Sequence, residues 1–408
     1  MARVMTASPL TADDVAPTRR PVDEAHLLPP RAFHDPDVFA FEQEAWFATS
    51  WVCVGRDEEA AEPGQYFLAT VAGDGVVVVR DRAGDLRGFH NVCRHRGSVL
   101  LTEPEGRLVR FQCPYHAWTY GLDGALIRAG HTDALIDFEP EEQSLHAIAL
   151  TVWAGFIFVS LDPSGGSLAD HLADLPGHVE RFGMAGLRRA RRIEYEVDAN
   201  WKVIAENYSE CYHCPGVHPQ LNKLTPYDQG LNLESNGPWA GGWMELTGDA
   251  DTMSVDGHTH GRAPLPGLSE DDQRRIYYFV LWPNLLLSLH PDYVMTHQVW
   301  PISPERSRVI CEWLFAPDEM LRADFDPADA IDFWDLTNRQ DWRVCELQQR
   351  GTRSRSYVPG RYSLMEDMVH AFDLMVADRY AGDGIVTRFE PRHDKWRDQS
   401  RPRGAAKS

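Results

Sequence analysis

Hydrophobic positions along the chain change their period once. Between residues 51 and 160 the apolar residues gather in short runs, at 51–55, 66–71, 76–80, 88–91, 109–112 and 152–160, with Gly, Asp and Pro between them. Runs of that length punctuated by turn residues predict short strands and a small all-β domain, preceded by a helix at 36–49. After Asp162 and Pro163, Leu168, Leu172, Leu175 and Val179 recur every three or four residues, which is helical spacing. Further on, 275–290, 293–300 and 307–315 predict strands of a second sheet, and 327–350 predicts a long helix. The expected class is α+β: a small all-β domain, then a larger domain of helices and antiparallel sheet.

At 408 residues the chain exceeds the roughly 250–300 at which single cores stop growing, so two domains are expected. The division drawn from the pattern is an N-terminal segment 1–45 packing on the larger domain, the β domain 46–163, the larger domain 164–395 and a flexible tail 396–408.

Composition narrows the partners. A net charge of −21 disfavours nucleic acid and anionic membrane, both of which need a positive face, and is compatible with a cationic substrate. The first thirty residues hold no apolar signal core, and the longest apolar stretch, 148–161, is interrupted by Thr151, Gly155 and Ser160 and too short to span a bilayer. A soluble, cytoplasmic protein is expected. Seven cysteines, at 53, 93, 113, 211, 214, 311 and 345, are odd in number and scattered, which argues against a secreted disulfide framework.

Two of those cysteines belong to a first constellation. Cys93-x-His95, seventeen residues, then Cys113-x-x-His116 offers two thiolates and two imidazoles from paired loops. Structural zinc and a [2Fe-2S] cluster both use such a set. The Cys-x-His spacing is shorter than the usual zinc knuckle, and both loops lie between predicted strands. With Arg96-Gly97, Pro114-Tyr115 and Ala117-Trp118, the motif resembles the Rieske motif in its oxygenase form. Respiratory-chain Rieske proteins carry an additional cysteine on each loop, and this sequence has none there.

The second constellation is 200–218, where His213 and His218 stand five apart and Pro215 is expected to end a helix. Both histidines could meet one metal, with Glu206 and Glu210 as nearby carboxylates. A two-histidine, one-carboxylate set suits non-haem Fe(II) chemistry, and its acid can come from far along the chain. Asp341 shares a helical face with Trp334, Val344 and Cys345, so it is either a ligand or paired with Arg339 or Arg343.

Residues 200–218 resemble the mononuclear-iron segment of Rieske oxygenase α-subunits, and 338–351 resemble the segment carrying their last ligand. The resemblance covers roughly 35–390. It implies a [2Fe-2S] cluster on Cys93, His95, Cys113 and His116, and Fe(II) on His213, His218 and Asp341. It also implies that Glu210 bridges His213 to His116 of the next subunit in a head-to-tail homotrimer, where many relatives have Asp. A separate flavin and iron–sulfur reductase would supply electrons from NAD(P)H. Glu210 and the aromatic run 277–293 are similar to the branch acting on betaines and carnitine, and 239–243 is also rich in aromatics. The implied reaction is oxidative N-demethylation of a substrate such as glycine betaine or stachydrine, with O2. Those rings equally suit a sheet core. The alternatives are hydroxylation of an aromatic ring or aromatic acid, a non-catalytic Rieske electron carrier, and a zinc-stabilised binding module.

Overall fold

Ala72-Gly73 and Ala154-Gly155, each with two positive φ values in succession, are the tight two-residue turns that the twist of a hairpin demands. They join β2 (Gln65–Val71) to β3 (Asp74–Arg80) and β9 (Ala149–Trp153) to β10 (Phe156–Ser160), so the run expected as one strand at 152–160 is a hairpin. With β1 (Val52–Arg56), β4 (Leu86–His90), β5 (Glu105–Arg107), β6 (Phe111–Gln112), β7 (Thr119–Tyr120) and β8 (Leu126–Arg128) they make three antiparallel sheets, ordered β1-β10-β9, β4-β3-β2-β5 and β6-β7-β8. Tyr66, Val77, Val79, Phe89, Phe111, Trp118 and Tyr120 form a core that encloses Cys93 and Cys113.

The chain is seen here as a computed structural model that describes residues 7–162, 164–384 and 389–391. Residues 42–168 form one compact unit, and the described residues up to Phe41 and from Ala169 form another. Pro163 and the expected tail 396–408 lie outside the described residues. The helix expected at 36–49 runs Pro36–Glu42 and continues as a wider π turn, Gln43–Phe47.

The second unit is built on one seven-stranded antiparallel sheet: β11 (Arg188–Val197), β12 (Gly230–Asn232), β13 (Trp239–Glu245), β14 (Arg275–Leu281), β15 (Leu285–Leu289), β16 (Val294–Ser303) and β17 (Arg306–Phe315), in the order β11-β17-β16-β15-β14-β13-β12. The stretch 275–290 is two strands, because Pro283 cannot donate to a ladder in the middle of a sheet. The pairings Tyr278 with Gly242 and Ser288, and His297 with Leu286 and Cys311, put these residues on one face by the two-residue alternation of strands. The helices Trp201–Tyr208 and Ala328–Thr352 touch that face: Tyr208 Oη meets Leu287 O and Ser288 Oγ, both at 2.8 Å, and Asn338 Oδ1 meets His297 Nε2 at 3.0 Å. The N-terminal segment belongs to this unit, with Phe33 O accepting from Gln349 Nε2 at 3.0 Å. No helix among the described residues is long and apolar enough to cross a membrane.

Candidate metal centres and the cavity beside one of them

The two loops of the first constellation are one backbone design used twice. Gly97 N–H donates to Cys93 O (3.1 Å) and Cys93 N–H to Ser98 O (2.8 Å); Ala117 N–H donates to Cys113 O (3.0 Å) and Cys113 N–H to Trp118 O (2.8 Å). The fourth residue after each cysteine is left-handed, with φ +72° at Gly97 and +59° at Ala117, so glycine suits the first without strain. This geometry buries both thiols and leaves His95 and His116 exposed, ring centroids 4.7 Å apart, with His95 stacked on Trp118 at 4.8 Å. Tyr120 Oη lies 3.2 Å from Cys93 Sγ and accepts from Arg94 N–H at 3.1 Å. Burial pushes the Tyr120 phenol up, so it stays a neutral donor facing the sulfur. Burial also pushes the Cys93 thiol up; at Cys113 the same effect is outweighed by the backbone N–H groups of Tyr115 and His116, which bring its thiol below the ordinary value. Inner sulfurs segregated from outer imidazoles suit a two-iron cluster, one iron on each pair, better than one closed tetrahedral ion.

In the second constellation Asn200 starts the helix Trp201–Tyr208: its side chain accepts from Lys202 N–H, and its buried amide donates to Pro304 O at 2.6 Å. The helix stops at Tyr208. Pro215 does not end it; Pro215 opens a new turn, Cys214–Val217, because a first-turn proline sacrifices no helical hydrogen bond. His213 caps that turn at one end and His218 at the other. The helix Ala328–Thr352 brings Asp341 to both rings: His218 Nε2 lies 2.7 Å and His213 Nε2 3.3 Å from Asp341 Oδ1. One ligand atom from each of the three lies within 4.8 Å of the others, so a small divalent ion fits between them. Arg339 pairs with Asp335 at 2.9 Å, not with Asp341.

Each ring is held from behind. His213 Nδ1 meets Glu210 Oε1 at 2.5 Å, and Glu210 Oε2 accepts from His213 N–H at 3.1 Å. His218, 1% exposed, meets Gln340 Oε1 through Nδ1 at 2.8 Å, and the same oxygen accepts from Gln220 Nε2 at 2.7 Å. Gln340 Oε1 is an acceptor, so His218 carries a proton on Nδ1, which leaves Nε2 as the atom it can offer to an ion at the centre it shares with Asp341. Burial opposes a charge on His213, but hydrogen bonds to Asp341 and Glu210 outweigh it and raise its pKa to about 10. Burial likewise opposes the charge on Asp341, yet the two histidines hold its carboxyl below the usual range.

The triad opens on a cavity of about 140 Å³ in the second unit. Tyr208, Tyr278, Trp243, Trp334 and Trp342 wall it, and Gly242 keeps its sheet face low. A Cβ on Gly242 would come within 2.4 Å of Leu231 O. His297 lines the cavity as a neutral ring, since burial lowers its pKa to about 4. Asn338 Nδ2 donates to Cys311 Sγ, leaving Oδ1 for His297 Nε2–H, so His297 Nδ1 is a bare acceptor. That atom, Tyr278 Oη and Trp342 Nε1 are buried without a hydrogen-bond partner among the described residues, an arrangement that costs stability unless water or a ligand completes it.

The structure therefore brings Glu210, His213, His218 and Asp341 together and sets Glu206 apart. Glu206 is buried against Asp373 and Gln348, and burial raises its pKa well above the usual carboxylate range. Of the aromatic runs, Tyr278 and Trp243 reach the cavity, whereas Phe279, Trp239 and Trp282 are in the core. Gln340, Gln220 and Tyr120 escaped the sequence reading, since nothing local marks a glutamine or tyrosine as the partner of a distant ligand. A disulfide between Cys211 and Cys214 was not expected either.

Comparison with known proteins finds a family match in each unit. The family model for the Rieske [2Fe-2S] domain matches residues 50–139, and that for the ring hydroxylating alpha subunit (catalytic domain) matches 184–382. The glycine betaine monooxygenase oxygenase subunit of Chromohalobacter salexigens is 34% identical over 366 residues, covering 83% of this chain and 82% of that protein. The carnitine monooxygenase oxygenase subunit of Escherichia coli K12 is 31% identical, covering 84% and 88%. Among solved structures, the quaternary ammonium Rieske monooxygenase CntA in complex with L-carnitine matches with a TM-score of 0.74 at 27% identity, covering 91% of this chain and 99% of that one. Naphthalene 1,2-dioxygenase with indole bound shares the fold, with a TM-score of 0.70 at 20% identity over 88% and 93% of the two chains. Similarity of that extent, spanning both units, means that the chain belongs to the Rieske-type oxygenases, enzymes whose oxygenase subunit carries a [2Fe-2S] cluster and a mononuclear iron.

Proposed function

We propose that this chain is the oxygenase component for oxidative N-demethylation of a quaternary ammonium compound such as glycine betaine or stachydrine, releasing formaldehyde. The observation that carries this is the cavity beside His213, His218 and Asp341, whose walls are aromatic faces able to hold a quaternary ammonium by cation–π attraction. Two relatives over 30% identical are named for glycine betaine and carnitine, which supports the same substrate class.

In this assignment Cys93 and Cys113 hold one iron of the cluster and His95 and His116 the other, within an electron-transfer domain of residues 46–163. His213, His218 and Asp341 hold Fe(II) in a catalytic domain of residues 164–395. Iron at that triad, with electrons from the cluster, supplies the oxidising power toward O2. The chain's own groups position and gate. Glu210 fixes the tautomer of His213 and Gln340 that of His218, so each ring offers Nε2. The aromatic walls place an N-methyl group near the triad and exclude water. Electrons come from NAD(P)H through a separate flavin and iron–sulfur reductase. The subunits form a head-to-tail homotrimer in the cytoplasm, in which Glu210 also accepts from His116 of the next subunit.

The same aromatic cavity would admit a flat aromatic acid, which keeps ring hydroxylation as the second reading. Protein loaded with both metals, a generic reductase and NADH would be assayed for formaldehyde across glycine betaine, stachydrine, carnitine, choline and aromatic acids. Formaldehyde from a quaternary ammonium compound supports the proposal. Oxygenated product from an aromatic acid alone replaces it with the second reading.

A further inference from the structure

The disulfide between Cys211 and Cys214 lies inside the segment that carries the triad's first histidine. The two cysteines are three apart, with Cα atoms 4.9 Å from each other, so the covalent ring encloses Tyr212 and His213. Cys214 N–H donates to Cys211 O (3.1 Å), Gly216 and Val217 N–H both donate to His213 O (3.0 and 3.1 Å), and His218 N–H donates to Cys214 O (2.8 Å). One cross-link thus fixes the backbone of His213 and starts the turn that ends on His218. Both cysteines line the cavity that holds the triad. Cys214 is 2% exposed and Cys211 is half-buried, so Cys211 is the sulfur that a reagent reaches. The other five cysteines are buried.

We propose that Cys211–Cys214 is a redox modification site, opened by small dithiols and closed by peroxide, whose closed form holds His213 in its ligating position. The positional half rests on the iron-site assignment above; the redox half does not. Opening is thiol–disulfide exchange: a reductant thiolate attacks Cys211 Sγ, the S–S bond breaks, and Cys214 leaves as a thiolate that takes a proton. The reductant's second thiol then displaces Cys211 and closes its own disulfide, so two electrons and two protons pass to the pair. In closing, Cys211 sulfur attacks hydrogen peroxide and becomes a sulfenic acid as one water leaves. Cys214 sulfur attacks that sulfenic sulfur, forming the disulfide and a second water.

The test uses full-length protein with both metals. Free thiols are trapped with N-ethylmaleimide under native conditions before reductant, after dithiothreitol, and after one equivalent of hydrogen peroxide, with the sites read by peptide mass spectrometry. Loss of iron to a colorimetric chelator is timed for each state and for Cys211→Ser and Cys214→Ser, whose cluster absorbance reports folding. The expected result is no label at 211 before reductant, label there after it, and loss of labelling after peroxide, with the buried Cys53, Cys311 and Cys345 silent. Iron should leave roughly tenfold faster from the reduced protein and from both serine variants, the lower end of the cost of losing a ligand-orienting contact. Labelling at 211 that ignores both reagents overturns the redox site. Equal iron loss in the two states overturns its hold on His213. Neither readout needs turnover, so absence of formaldehyde with every substrate would count against the proposed function alone.

Discussion

Replacing Gln340 with Leu tests whether the histidine pair is a prepared metal site. The substitution removes the oxygen that takes His218 Nδ1–H at 2.8 Å and Gln220 Nε2–H at 2.7 Å. Since His218 is 1% exposed, water does not replace that partner, and the ring N–H is left buried and unsatisfied at a cost of about 1–3 kcal/mol. The ring escapes the cost by rotating or by moving its proton to Nε2, and either movement withdraws the lone pair aimed beside Asp341. Iron(II) affinity should therefore fall about 10–100-fold, the range found when such outer partners of ligands are removed, or about 1.4–2.7 kcal/mol. Calorimetric titration of the metal-free protein with Fe(II) under anaerobic conditions reads this directly, and the visible spectrum of the cluster should be unchanged. An affinity within twofold of the parent's would mean that Gln340 does not set the tautomer, and the argument from its hydrogen bonds would fail.

Asp341→Ala and His213→Ala should each abolish turnover and weaken iron binding beyond the Gln340→Leu effect while the cluster's absorbance remains; turnover that survives would remove either residue from the ligand set. In Tyr120→Phe the hydroxyl beside Cys93 Sγ is lost, so the cluster's midpoint potential should move negative by on the order of 50 mV, equivalent to about 1 kcal/mol for one electron. A potentiometric titration giving an unchanged midpoint would show that this contact does not distinguish the redox states. Burial raises Asp373 from 3.8 to about 7, so the folded chain binds the extra proton between those values and stability declines as pH climbs through them. Asp373→Asn keeps an acceptor for Tyr362 and cannot ionise, so its stability relative to the parent should grow by about 3 kcal/mol from pH 5 to pH 8 in chemical denaturation. An advantage independent of pH would contradict the raised value.

Legibility followed from how local each signal is. Short apolar runs between turn residues marked most of the first unit's larger strands, because a half-buried strand must alternate or cluster within five or six residues. Pro283 and the Ala154-Gly155 turn split two runs that hydrophobicity alone had joined. β11 was missed because its arginines and glutamates hide the pattern at a sheet edge. The helix Asp367–Ala381 was missed because it is buried nearly all round and shows no apolar stripe. Pro215 misled: a proline can end one helix or open the next, and only the backbone shows which.

By itself the sequence determined the chemistry on offer. Cys-x-His with Cys-x-x-His sets two loops that can each aim a thiol and an imidazole, and His213 with His218 are close enough in the chain to converge. Tertiary structure decided what lies across from them. Asp341 stands 123 residues beyond His218, and its choice of the two histidines over Arg339 depends on where the helix Ala328–Thr352 crosses the sheet. The same crossing puts Gln340 behind His218 and Trp334 and Trp342 in the cavity wall, while Glu206 turns to Asp373. Residue type and spacing are properties of a segment, whereas a ligand set, a tautomer and a pocket are properties of distances between segments, and packing alone fixes those distances.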